Sequence, residues 1–186
     1  MTIILYKSHK LHEVMNIQKN KTFLAALTIL FITFFTIVFI LLDWIDTGFF
    51  VGPLRFSHWM VLIGTFFVAV YTPMFYALKR IYPKKLKYLL NVHVFGFLVS
   101  FLFISIHFAG QMGRPQQFYP EIGEGIALFI IMVLLVATGF IHRFQIIPKK
   151  AGKYYKPHFN RYYHVSITTA FYIVIIVHIL VNVGIV

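Results

Sequence analysis

Five long apolar runs govern what this 186-residue chain can become. They cover roughly 22–42, 58–79, 88–110, 122–142 and 162–185. Each reaches the roughly 20 residues that an α-helix, rising about 1.5 Å per residue, needs to cross a hydrocarbon layer. None alternates like a barrel strand, and all exceed the about 9–11 residues such a strand uses. Sixty per cent of the residues are hydrophobic and 22 are Phe, more apolar surface than a soluble domain of this size can hide. The expected fold is therefore an all-α integral membrane bundle, with five transmembrane helices in residues 22–186 behind an N-terminal segment, 1–21.

The formal net charge is +12, which in a soluble protein would suggest a nucleic-acid partner. Here the cations fall in short segments between apolar runs, so topology is their first meaning and no nucleic-acid partner is expected. Lys79, Arg80, Lys84, Lys85 and Lys87 crowd the second connection; Arg143, Lys149, Lys150, Lys153, Lys156 and Arg161 crowd the fourth. The first connection carries Asp43, Asp46 and Arg55, and the third Arg114, Glu121 and Glu124. Basic loops stay inside, which predicts an N-terminus inside and a C-terminus outside the cytoplasmic membrane. Residues 1–21 are mixed polar and apolar, and the first run lacks a small-residue cleavage pattern, so it reads as a retained helix with a cytoplasmic segment before it. Pro120, Glu121 and Glu124 suit a helix start, Pro83, Pro148 and Pro157 punctuate inner loops, and Pro73 falls inside the second helix.

Four of the nine histidines lie inside spans: His93 and His107 on the third helix, His164 and His178 on the fifth. Both pairs are 14 residues apart. At about 100° per residue the two members come within about 40° of the same face, separated along the axis by about 21 Å. Both helices run from inside to outside, so His93 faces His164 at an inner level and His107 faces His178 at an outer one. An ionisable residue inside a membrane is a functional hypothesis by default. Two imidazoles per level suit a six-coordinate haem iron, a closed site that passes electrons. A zinc or copper ion would need its ligands clustered within a few ångströms. With no cysteine in the chain, covalent c-type attachment is excluded, so two non-covalent haem b groups are expected, with all four histidines as metal ligands.

Gly96 and Gly110 follow His93 and His107 by three residues, and Gly125 and Gly139 on the fourth helix are 14 apart. A flat macrocycle beside a helix needs missing side chains, though small residues also serve ordinary helix packing in membranes. Phe171 lies seven residues from both His164 and His178, between the levels, where it could fill the gap and keep water out, with plain core packing the stronger competing role in so Phe-rich a chain. Arg143 and Arg161 inside, and Arg55 and Arg114 outside, are candidates for neutralising haem propionates, with snorkelling as the competing role.

Two histidine pairs on helices separated by one resemble the ferric reductase-like transmembrane domain, as do T-G-F-I-H-R at 138–143 and R-Y-Y-H at 161–164. The resemblance covers roughly residues 55–185 and implies ligation by His93, His107, His164 and His178. In many members a flavin and nicotinamide domain follows. This sequence has no G-x-G-x-x-G fingerprint, so a flavoprotein donor would be a separate partner, docking on Lys84, Lys85, Lys149 and Lys150. The chain is also similar to the cytochrome b of quinol-oxidising complexes, which has 14-residue histidine pairs and flanking glycine pairs.

Three functions compete. The first is electron transfer from a cytoplasmic-side donor to an outer acceptor, as the electron-transfer subunit of an oxidoreductase. The second is a quinone-linked subunit of a larger respiratory complex, with quinone chemistry near His58 and Trp59 or near His142 and Arg143. The third is a transporter or scaffold with a histidine proton relay, for which no paired intramembrane acid is present.

Overall fold

In lipid every backbone polar group must be bonded internally, so the apolar runs have only the helix open to them. A computed structural model of the protein describes residues 2–114, 123–146 and 157–182, with side chains over 20–114, 123–146 and 158–181. The expectations for Pro120, Glu121, Pro148 and the basic stretch 149–156 lie outside the described residues, as does any statement about side chains before residue 20. The architecture is all-α. Helix α1 spans Thr2–Leu41, α2 Phe56–Ile81, α3 Leu86–Met112, α4 Gly123–Phe144 and α5 Pro157–Asn182. Membrane-crossing windows occupy Asn20–Leu41, Phe56–Ile81, Pro83–Met112, Gly123–Phe144 and His158–Val181. All five expected spans are present, and α1 extends well ahead of its own.

The connections explain why each helix ends where it does. Asp43 and Gln145 take left-handed backbone conformations, φ 58° and 52°, just past the ends of α1 and α4. A short hairpin not anticipated from the sequence, β1 (Phe50–Val51) against β2 (Leu54–Arg55), turns through Gly52 at φ 63°. Its position is fixed by Trp59 of α2, whose indole N–H donates to the Val51 carbonyl at 2.8 Å.

Each helix reverses the last, and side-chain contacts fix which ends meet. Arg143 near the end of α4 donates to Asn91 near the start of α3 at 3.0 Å. Asn160 near the start of α5 donates to the Thr138 carbonyl of α4, also at 3.0 Å. Thus α3 and α5 run in the same direction, with α4 antiparallel between them. The closest pairing is α2 on α3. There Gly64 lets the Ser100 carbonyl approach to where a Cβ would stand only 2.9 Å away, a small-residue contact of the kind that drives association without a hydrophobic effect. Phe171, Met132 and Val68 form the buried centre, with Phe101, Ile104, Leu128 and Leu135 around them. Phe171 is thus packed in the core.

Pro73 costs α2 the hydrogen bond that residue 73 would donate to the carbonyl of Ala69. In hydrocarbon that carbonyl needs another donor. Tyr172 of α5 supplies it, its hydroxyl 3.0 Å from the Ala69 oxygen. The Val68 carbonyl receives the Thr72 hydroxyl at 2.7 Å. The proline gap thus becomes a tether between α2 and α5, helices far apart in sequence. Tyr172→Phe should lower stability by about 0.5–1.5 kcal/mol. In a Pro73→Ala background, where residue 73 has its own N–H, the same change should cost clearly less; a double-mutant cycle of detergent-solubilised protein measures that coupling.

Candidate cofactor site

At the end of the bundle where α3 and α5 begin, the His93 and His164 rings stand 6.4 Å apart, centroid to centroid, at an interplanar angle of 74°. Metal–imidazole bonds of about 2.0–2.1 Å, with ring radii of roughly 1.1 Å, put two imidazoles on opposite sides of one metal ion about 6.3 Å apart. The observed pair already has that separation. Phe75 and Phe97 flank the His93 ring at 4.7 and 4.4 Å. Its Nδ1 is buried with no hydrogen-bond partner among the described residues, an unfilled demand that is costly in an apolar setting.

His164 is held by α4. Its Nδ1 lies 2.8 Å from the Thr138 hydroxyl, and that hydroxyl lies 2.7 Å from the Leu134 carbonyl of its own helix. A hydroxyl has one proton to give. With that proton on the Leu134 carbonyl, Thr138 accepts from His164, so Nδ1 carries the ring proton and Nε2 keeps its lone pair for a metal. Supporting bonds of this kind orient metal-bound histidines generally. Gly139, the next residue, packs beside the ring, where a Cβ would make an ordinary contact, 3.4 Å from His164 Cε1.

Both histidines line a cavity of about 850 Å³. Its walls are largely apolar, from Phe75, Leu90, Phe97, Leu98, Met132 and Leu135 among others. Lys79, Arg143 and Arg161 also line it, as do His142 and Asn160, and among the described residues its lining includes no Asp or Glu. An apolar cleft with a facing pair of imidazoles, His142 beside them and a cationic rim fits a flat, amphipathic, acidic ligand with a central metal. The residues present therefore fit the haem expected from the sequence. The facing His93 and His164 supply two donors, which suits an ion whose remaining bonds come from a macrocycle; among the described residues no group of three or more His, Cys, Asp or Glu converges on one point.

The other level is built differently. His107 of α3 is joined edge-on by His58 of α2, ring centroids 5.1 Å apart. The Nδ1 atoms of both are buried without a hydrogen-bond partner among the described residues. His178 of α5 places its Nδ1 3.6 Å from Glu124 Oε2 on α4, and both side chains are about one-quarter exposed, at 29% and 27%. Arg114 lies just beyond α3, its backbone N–H donating to Gln111. Arg55 sits in the hairpin with its guanidinium 5.2 Å from the Phe50 ring centroid.

The expected glycines do different jobs. Beside Gly96 the space is taken by the Phe67 ring, and beside Gly110 by the Thr47 hydroxyl. Among the described residues nothing lies within 4 Å of a Cβ built on Gly125. Lys79 and Thr138 were not singled out as site residues from the sequence. Lys79 looked like one more loop cation, and a threonine in a membrane helix ordinarily bonds its own backbone, as Thr138 also does. Gly96→Ala should displace Phe67, which is stacked on Tyr71, and cost about 1–3 kcal/mol. Gly125→Ala should be neutral or stabilise by up to about 1 kcal/mol through helix propensity. Thermal unfolding of the two variants in detergent compares them directly.

No family model, curated protein or solved structure matches this chain, so what the site can do follows from its own geometry.

Proposed function

We propose that this membrane protein carries electrons across the bilayer through two stacked bis-histidine haem b groups, one held by His93 and His164 and the other by His107 and His178. The observation that carries the reading is the 6.4 Å His93–His164 pair on the wall of an apolar cavity rimmed by Lys79, Arg143 and Arg161. A haem held by His93 and His164, or by His107 and His178, would supply one-electron chemistry, and two histidine ligands would leave no position for oxygen.

The chain's own contributions follow from its residues. Thr138 fixes the ring proton of His164 on Nδ1 and leaves Nε2 as the donor. Phe75 and Phe97 hold the His93 ring and exclude water from its faces. Lys79 and Arg161 at the cavity rim offer positive charge to propionates, and Arg143 is already aimed by its bond to Asn91. Phe171, 2% exposed, fills the interior between the levels and keeps the path dry.

By the positive-inside rule the end bearing Lys79, Arg80, Lys84 and Lys85 faces the cytoplasm, which puts the cavity on the inner side. A cytoplasmic-side donor, a separate flavoprotein or another subunit, would then meet a basic surface, and the outer acceptor would meet the end bearing His107, His178 and Glu124. The membrane would be the cytoplasmic membrane. The quinone-linked alternative rests on the same cavity, where His142 and Arg143 could hold a quinone head group.

Vesicles containing the purified, haem-loaded protein and a trapped ferricyanide oxidant test the reading. An external reductant that cannot cross the bilayer should consume the trapped ferricyanide, and His164→Ala or His178→Ala should each reduce that rate by more than tenfold. Equal rates in protein-free vesicles would overturn the function.

A further inference from the structure

Asn160 and His164 stand four residues apart on one face of α5, and both bond to a single residue of α4. The Asn160 amide donates to the Thr138 carbonyl at 3.0 Å, and His164 Nδ1 lies 2.8 Å from the Thr138 hydroxyl. A carbonyl oxygen has two lone pairs. Because α4 continues through His142, helix geometry gives one of those on Thr138 to the His142 N–H, and Asn160 takes the other.

Asn160 is 6% exposed, and a buried amide costs free energy unless it is bonded. Interhelical glue is the competing role for such a residue, and glue alone could sit anywhere along the α4–α5 seam. Here the bond lies one turn from the imidazole and on the same partner residue. That placement has a geometric consequence. The bond at Nδ1 alone would leave the His164 ring free to follow α5 as it slides or rolls on α4. A slip of one residue, about 1.5 Å along the axis and about 100° around it, would carry the ring off Thr138 altogether. With a second bond to the Thr138 carbonyl, both the height and the roll of α5 are set at this level. Across the cavity Phe75 and Phe97 hold the His93 ring at 4.7 and 4.4 Å. The 74° between the two ring planes is therefore imposed by the protein from both sides.

We infer that Asn160 is a positioning residue of the cavity site: by pinning α5 to the Thr138 carbonyl it fixes the plane of the His164 ring against that of His93. The inference rests on the proposed haem between His93 and His164 and adds what sets its axial geometry. Asn160 reaches the site through Thr138 and His164, not by touching the iron.

Electron paramagnetic resonance of the oxidised, haem-loaded protein reads that angle. In low-spin ferric haem with two imidazoles, near-perpendicular ligand planes give one strongly shifted low-field feature, whereas parallel planes give three well-separated g values. The haem that disappears in His164→Ala should show the low-field feature in the wild type. Asn160→Leu, close in volume but without the amide, should move that feature to smaller g or turn part of it high-spin. Asn160→Gln, which keeps an amide donor, should move it back toward the wild-type position. Loss of this haem from folded Asn160→Leu, with retention in Asn160→Gln, supports the same placement. Should Asn160→Leu not fold, Asn160→Ser, too short to reach the carbonyl, is read in the same way. A fall in thermal stability with unchanged g values is the result expected of glue alone and would overturn the inference while leaving the haem site standing, as would a wild-type signal of parallel planes. A colourless preparation would instead remove the haem reading and this inference with it.

Discussion

A neutral imidazole in hydrocarbon has one N–H to give and one lone pair to fill, and no water to answer either. Everything specific about this bundle is organised around that demand. At His164 one nitrogen is satisfied by Thr138, which leaves the other facing a cavity. At His93 and His107 the demand at Nδ1 is left open among the described residues. A bundle needing only stability would have used Leu or Phe at these positions, as it does nearly everywhere else. The same rule shapes the backbone, where Tyr172 answers the carbonyl that Pro73 leaves open.

The two ends of the bundle are unlike. One gathers Lys79, Arg143 and Arg161 around an apolar cleft of about 850 Å³. The other holds His58 against His107 and Glu124 against His178, beneath a small hairpin tied down by Trp59. Under the proposed function this polarity gives the two sites different electrostatic surroundings within one repeated ligand scheme. The helices running the same way, α3 and α5, bring the ligands to matching levels, and α4 between them supplies the supporting groups.

Much of this was legible in the sequence because the membrane simplifies the code. Long apolar runs admit only helices, so five spans could be read from length alone, and the 14-residue histidine spacing placed His93 level with His164 once the helix directions were known. What could not be read was set by contacts across helices. Nothing local distinguishes Gly96, which faces Phe67, from Gly125, which faces open space. The partnership of Thr138 with His164 depends on the α4–α5 register, and the hairpin at Phe50–Arg55 uses strands of two residues each, too short to leave a pattern. The pairing of His58 with His107 leaves no local signal, because the two lie 49 positions apart in the chain.

The central claim is that four imidazoles grip two porphyrin irons. Its most direct measurement is the reduced-minus-oxidised spectrum of the purified protein together with its haem-to-protein ratio. The account predicts two low-spin b-type haems per chain, with one lost on replacing His164 by Ala. A protein that purifies folded but without haem, or that keeps both haems in His164→Ala, would contradict it.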